Sequence, residues 1–308
     1  MSADHGFPDQ PGSPQMEPNR GFVEGDWFYE EDQGSTRLGI RIEGHLHSER
    51  SEWQKIDVFE SAFHGKILTL DDLVMLTERD EFVYHEMLVH VPLIAIESPR
   101  EVLIIGGGDC GCIREVLRHP SIEKVVQCEI DERVTRVSEK YFDWVSDTIA
   151  DPRVELVFDD GVKYVENHEA SFDLIIIDST DPIGPAVGLF LADFYRKVAA
   201  ALRPGGVMAA QTEAPFWYPV AMGKIHAQMR EAFAHVEHYW GAVPTYPSGS
   251  WTWAFASESR CHSDYFDAVR AETVARQTRY WNAGVQGACF SLPNFMREAL
   301  AGRDPFRR

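Results

Sequence analysis

Residues 102–111 read VLIIGGGDCG. Four apolar residues form a buried strand, three glycines form a turn, and residues 113–117 begin a helical pattern. Strand, glycine turn and helix together open a nucleotide-binding βαβ unit. Glycines let such a turn pass close beneath a ligand, and the helix N-terminus offers unpaired N–H groups. Asp109 sits oddly in this setting. A carboxylate is comfortable at the positive end of a helix, but it repels a pyrophosphate. It suits a ligand that brings positive charge to the turn.

The alternation continues downstream. Residues 124–128, 154–158, 174–177 and 207–210 read as further buried strands, separated by helical segments. That order predicts an α/β fold, a parallel sheet with helices on both faces. Residues 236–240 and 251–256 offer two more strands. Upstream, residues 27–76 alternate, with short strands at 37–42, 55–59 and 66–70. A sheet that small needs something to pack on. Residues 81–90 read as a helix with Phe82, Met87 and Leu88 available to bury. Residues 1–20 are rich in Pro, Gly, Asp and Ser without an apolar period, which predicts disorder.

The chain has 308 residues and a net charge of −20. The length allows one large domain and a smaller one. The charge disfavours nucleic acid and anionic membrane as partners and attracts small cations. Five scattered cysteines argue against a disulfide framework and for a reducing compartment, so the sequence reads as cytoplasmic. Cys110-x-Cys112 has no second Cys/His pair near it in sequence, so no zinc site is expected there. No apolar run is long enough to span a bilayer.

In open parallel sheets ligands sit beyond the carboxyl ends of the strands. Each of the first four strands ends in acid: Asp109, Glu129, Asp159-Asp160, and Asp178 with Asp181. One such acid is readily a helix or turn cap. Four in successive equivalent positions line one crevice. Glu129 lies about 20 residues past the glycine turn, where an acid accepts from ribose hydroxyls. Asp160 is placed to accept from an exocyclic amine such as that of adenine. An adenosine satisfies both, which leaves NAD and S-adenosyl compounds open. Gly106-x-Gly108-x-x-Gly111 matches the dinucleotide pattern, but Asp109 opposes a diphosphate and no second nucleotide half follows. Asp178-Ser179-Thr180-Asp181 precedes Pro182, Gly184 and Pro185, which predicts a bent loop rather than a helix. One of its acids can hold an ammonium while the other takes a proton from an attacking amine. Residues 180–189 can close over a ligand as a lid.

The runs TERDEFVYHEM (77–87), GGGDCGCIREVLRH (106–119), EID (129–131), DPRV (151–154), DDG (159–161), DSTDPIGPAVGLF (178–190) and PTYPSG (244–249) resemble the polyamine aminopropyltransferases, specifically the spermidine synthases. The resemblance covers nearly everything after residue 27. It implies a methyltransferase-like Rossmann domain with a mostly parallel sheet (79–308), a small N-terminal β domain (21–78) and a tail (1–20). It implies a homodimer or homotetramer, and transfer of the aminopropyl group of decarboxylated S-adenosylmethionine to putrescine, giving spermidine and 5′-methylthioadenosine. The donor is a co-substrate, and no cofactor or metal is implied. By the same resemblance Gln54, Glu129, Asp160, Gly161 and Pro185 contact the nucleoside, over the turn of Gly106 and Gly108. Asp109 holds the aminopropyl amine. Tyr84, His85, Ser179, Thr180, Asp181 and Tyr246 form the amine site, and Asp178 accepts the proton.

Three positions depart from the family's usual residues: Met75 for Gln, Asp72 for Gly and Cys110 for Gly. A thioether is a weak acceptor, so Met75 removes a polar contact near the transferred group. Other amine acceptors (agmatine, cadaverine, spermidine) remain open. So do a class I methyltransferase, which shares the adenosine half-site, and a non-catalytic polyamine-binding protein.

Overall fold

A computed structural model describes residues 20–182 and 184–307. The expected tail lies outside these residues, except for Arg20, which starts a strand. Two small antiparallel sheets come first. One is β1 (Arg20–Glu24), β2 (Trp27–Asp32) and β3 (Thr36–Arg41); the other is β4 (Gly44–Arg50), β5 (Lys55–Ser61), β6 (Gly65–Leu70) and β7 (Leu73–Thr77). The sequence signalled only β3, β5 and β6. Strand β4 carries His, Ser, Glu and Arg on a half-exposed ribbon, which gives no clean period-two signal.

Helix α1 (Glu81–Ile94) follows and runs on past the expected end, through Pro92. It is buried nearly all round because the second small sheet and the large sheet share it. Leu68 and Leu76 join Met87, Leu88, Ile104 and Ile176 in one core.

The large sheet contains β8 (Glu101–Gly106), β9 (Lys124–Glu129), β10 (Val154–Phe158), β11 (Phe172–Asp178), β12 (Leu202–Gln211), β13 (His235–Gly241) and β14 (Trp251–Ser257). Their order is β10-β9-β8-β11-β12-β14-β13. The first five are parallel, and β14 and β13 add antiparallel at the edge. Alternation in β8 sends Val102 and Ile104 to one core and Leu103 and Ile105 to the other. That is why the strand reads as an unbroken apolar run. Strand β12 begins at Leu202, so the Pro204-Gly205-Gly206 turn falls within it, beside a register shift between Phe172 and Leu174. The chain order reverses between β8 and β11, which opens a crevice at their carboxyl ends. Among the described residues no helix is long and apolar enough to cross a membrane.

Candidate active site

A cavity of about 810 Å³ fills this crevice. Strand ends supply Gly106, Gly108, Asp109, Glu129, Asp160, Gly161 and Asp178 to Asp181. The second small sheet supplies Gln54 and Met75, α1 supplies Tyr84 and His85, and a late loop supplies Tyr246. Every candidate residue whose side chain is described therefore lines one space. Pro185 falls in a 3-10 helix, Gly184–Phe190, where a bent loop was expected. Proline is tolerated in a first helical turn, where its missing N–H is not needed. Its side chain lies outside the described residues, while Ala186 and Leu189 of the same turn face the cavity.

Glycine is required at two points of the turn. Gly106 has φ +83°, and a Cβ there would strike the Asp178 carbonyl. Gly111 begins helix α2 (Gly111–Leu117), and a Cβ there would strike the His85 ring. Cys110 between them has φ +62°, so it occupies a left-handed position that favours glycine.

At one end of the cavity the acids are tied to backbone. Glu129 Oε1 accepts from the Asp131 amide at 2.9 Å, and burial pushes its carboxyl up to about 7. Asp131 caps the helix Glu132–Tyr141 through the Arg133 amide, and its Oδ2 accepts from Gln54 Nε2 at 3.0 Å and Ser51 Oγ at 2.6 Å. That pairing clips the second small sheet to the end of β9. Asp160 caps the helix Gly161–Glu166 through the Val162 amide at 2.9 Å. The capping role weighed for such acids is thus real at Asp160, and it coexists with a place in the cavity wall.

In the middle, Asp109 Oδ1 accepts from the Gly111 amide at 2.7 Å and lies 3.3 Å from His85 Nε2. His85 Nδ1 is 2.7 Å from Glu81 Oε2, and Arg114 grips both Glu81 oxygens. Burial alone would lower the His85 pKa, but Asp109 and Glu81 on its two sides raise it well above normal. Burial raises the Asp109 carboxyl, and the His85 imidazolium more than offsets this, leaving it low. Asp109 is therefore an anion beside a cation.

At the other end the Val74 amide donates to Glu30 Oε2 at 2.8 Å, whereas Asp178 is held by a side chain. Asp178 Oδ1 accepts from Tyr84 Oη at 2.8 Å, while its buried Oδ2 has no well-aligned donor and the Cys112 thiol stands beside the carboxylate. Burial and then Asp109 raise its pKa. Asp181 is pushed up to about 6 by burial and Asp32. Beyond it stand Glu30, pushed to about 8 chiefly by burial, and Glu213, raised well above normal by burial and Asp181. Neither Glu213 oxygen makes a well-aligned hydrogen bond, and its φ of +83° marks a strained backbone. Tyr84 and Tyr246 pack at 5.6 Å between centroids, and Tyr246 Oη donates to the Met75 carbonyl at 2.5 Å.

The sequence reading missed Glu30, Asp32, Glu81, Asp131 and Glu213. Glu213 was findable, since it follows the fifth strand as the other acids follow the first four. Glu30 and Asp32 were not, because buried acids on a short alternating strand contradict the usual outward placement of charge.

Two family models match the chain: a spermine/spermidine synthase domain over residues 81–265 and a spermidine synthase tetramerisation domain over residues 26–78. A polyamine aminopropyltransferase of Thermoanaerobacter sp. (strain X514) is 42% identical over 273 residues, covering 88% of this chain and 97% of its own length. One of Clostridium beijerinckii is 40% identical over 278 residues, covering 90% of this chain and 98% of its own. A spermidine synthase solved with the transition-state analogue AdoDATO superposes with a TM-score of 0.87 at 38% identity, covering 93% of this chain and 98% of that one. The Thermotoga maritima spermidine synthase gives 0.84 at 38% identity, covering 89% and 94%.

Proposed function

The chain belongs to the polyamine aminopropyltransferase family, and from that premise we propose that it transfers the aminopropyl group of decarboxylated S-adenosylmethionine to putrescine. The products are spermidine and 5′-methylthioadenosine. The observation that carries this reading is the run of three acids, Asp109, Asp178 and Asp181, along one cavity whose opposite end holds Glu129 and Asp160. Glu129 and Asp160 take the ribose and the adenine, with Gln54, Gly161 and Pro185 beside them and the turn of Gly106 and Gly108 beneath. Asp109 takes the ammonium of the aminopropyl arm. A carboxylated donor would set like charges together there, which favours the decarboxylated one. The acceptor lies between Tyr84, His85 and Tyr246, over Ser179 and Thr180, with its far ammonium on Asp181.

The attacking nitrogen must be neutral. Asp178 is the acceptor for its proton: Tyr84 holds its carboxylate in place, and the raised pKa brings it nearer the range where a base works at neutral pH. The amine nitrogen forms a bond to the methylene beside the sulfonium. The carbon–sulfur bond breaks, and its electron pair neutralises sulfur in methylthioadenosine. Holding nitrogen, carbon and sulfur in line supplies much of the rate. The match of residues 26–78 to a tetramerisation domain supports a homodimer or homotetramer. Five unpaired cysteines fit a reducing, cytoplasmic setting.

The test is turnover with decarboxylated donor and a panel of putrescine, cadaverine, agmatine and spermidine, reading methylthioadenosine and the amine product. Putrescine should give the highest kcat/KM. A higher value with another amine reassigns the acceptor.

A further inference from the structure

In sequence, Cys110-x-Cys112 lacks partners for a metal. The fold brings two. His85 from α1, Cys112 from α2 and Asp178 from the end of β11 each place one donor atom within 4.8 Å of the other two. His85 and Asp178 line the amine end of the cavity, and Cys112 lies behind them, with His85 2% and Cys112 0% exposed. We propose that these three side chains form a binding site for a borderline-soft divalent cation of the zinc type, and that the ion and the acceptor amine exclude one another. The exclusion rests on the functional reading above; the binding of the ion does not.

The donor set decides the kind of ion. Imidazole, thiolate and carboxylate are zinc's ligands, and three protein ligands with an open fourth position is a familiar zinc arrangement. Magnesium and calcium take oxygen ligands and do not select a thiol. The second shell is in place. Glu81 bonds His85 Nδ1 at 2.7 Å, which leaves Nε2 for the ion, and Arg114 holds Glu81. Such carboxylate–histidine pairs orient metal-bound imidazoles. The open position faces the cavity and Asp109, 3.3 Å from Nε2. Bonds of about 2.0–2.3 Å in a tetrahedron put ligand atoms roughly 3.3–3.8 Å apart, so closing the cluster takes small side-chain rotations.

Binding is a proton exchange without redox change. The metal forms bonds to sulfur, nitrogen and oxygen, and the Cys112 thiol proton and the His85 Nε2 proton leave to solvent. Without the ion, burial and Asp178 hold the thiol protonated, so Cys112 is no free nucleophile. With it, the thiolate and Asp178 carboxylate neutralise the ion's two charges. The ion then occupies the carboxylate that would take the amine's proton.

Reduced, metal-free protein is titrated with Co²⁺ and followed by absorbance. One equivalent should give a thiolate charge-transfer band, which one equivalent of Zn²⁺ abolishes. Cys112→Ser, or Cys112→Val if the serine variant does not fold, should lose the band. Cys261→Ser, removing the thiol beside His235, should keep it. Zn²⁺ should inhibit turnover competitively with the amine, and Cys112→Ser should need at least tenfold more Zn²⁺ for half-inhibition of its own metal-free rate. A band absent at one equivalent, or surviving loss of Cys112, overturns the site. Inhibition that excess amine does not relieve overturns the exclusion. A protein inactive with every amine defeats the functional reading alone, and the Co²⁺ spectrum still decides the site.

Discussion

The two ends of the cavity are both lined with carboxylates, yet they hold them in opposite ways. At the nucleoside end Asp160 and Asp131 each cap a helix, and Glu129 accepts a backbone amide. Those bonds fix the oxygens whether or not a ligand is present, and the partners proposed there are neutral hydroxyls and amines. At the amine end the second Asp178 oxygen is buried without a well-aligned donor, Asp181 is raised by burial and Asp32, and Glu213 by burial and Asp181. Burying acid against acid is costly unless a proton or a cation intervenes. On the proposed reading, backbone bonds order the nucleoside end without a ligand, and a cation at the amine end would relieve its crowded acids. Loss of an acid should accordingly cost most where charge and proton are handled.

The largest effect is expected at Asp178. Asp178→Asn keeps the shape and an acceptor for Tyr84 but removes the base, and should lower kcat roughly 10²–10⁴-fold. Glu129→Gln should chiefly raise KM for the donor. Steady-state kinetics on both variants makes the contrast, and an equal kcat loss at Glu129 breaks it.

Asp109 lies between the two ends and should show the next effect. Asn can still accept from the Gly111 amide, but it leaves the His85 cation facing the incoming ammonium. A charged hydrogen bond is worth roughly 1.5–3 kcal/mol, so decarboxylated donor should bind about 10–100-fold more weakly to Asp109→Asn. Methylthioadenosine has no ammonium and should bind nearly as before. Calorimetry with both ligands settles the matter, and the same loss for each removes Asp109 from donor choice.

What could be read from sequence divides along the same line. Strand β8, its glycine turn and the acids at strand ends obey local rules: apolar runs for buried parallel strands, and polar residues where strands stop. Asp178 and Asp181 were visible because they follow such a run. The acids beyond them depend on distant chain. Glu30 and Asp32 come from β2, whose inward face is Phe28, Glu30 and Asp32, and only tertiary packing brings it against Asp181. Glu81 looked like one charge in a helix start, and its bridge between His85 and Arg114 needs α1 and α2 side by side. Residues 180–189 read as a loop, and the 3-10 turn within them is too short to leave a period.

Asp181 should show a milder, pH-dependent effect. Glu30 at about 8 is largely protonated at neutral pH and Glu213 is raised well above its ordinary range, while Asp181, at about 6, is placed to carry the charge. Protonation removes that charge, so the amine KM should rise as pH falls through about 6. The far ammonium stays charged throughout this window, so the titrating group is the carboxyl. Asp181→Asn should raise the amine KM at pH 7.5 and flatten its pH dependence, with kcat much less affected than in Asp178→Asn. A variant that keeps the wild-type KM profile takes the anchor away from Asp181.

The smallest effect is expected at Met75, where the wall between the two ends carries a thioether. Its carbonyl already receives the Tyr246 hydroxyl, and that bond depends on backbone alone. Substitution by Gln should therefore leave Tyr246 in place. The two side chains are similar in length, so packing against the core that includes Tyr84 should change little. The new amide adds a donor and an acceptor beside the transferred group, and one neutral hydrogen bond contributes roughly 0.5–1.5 kcal/mol. Met75→Gln should raise kcat/KM for putrescine about 2- to 12-fold by that same measure, with a smaller gain for acceptors whose nitrogens fall at other positions. The amine panel used on wild type reads both quantities. If rate and preference stay as they were, Met75 packs the wall and does nothing more, and the polar handling of the amine belongs wholly to Asp178, Asp181 and the tyrosines.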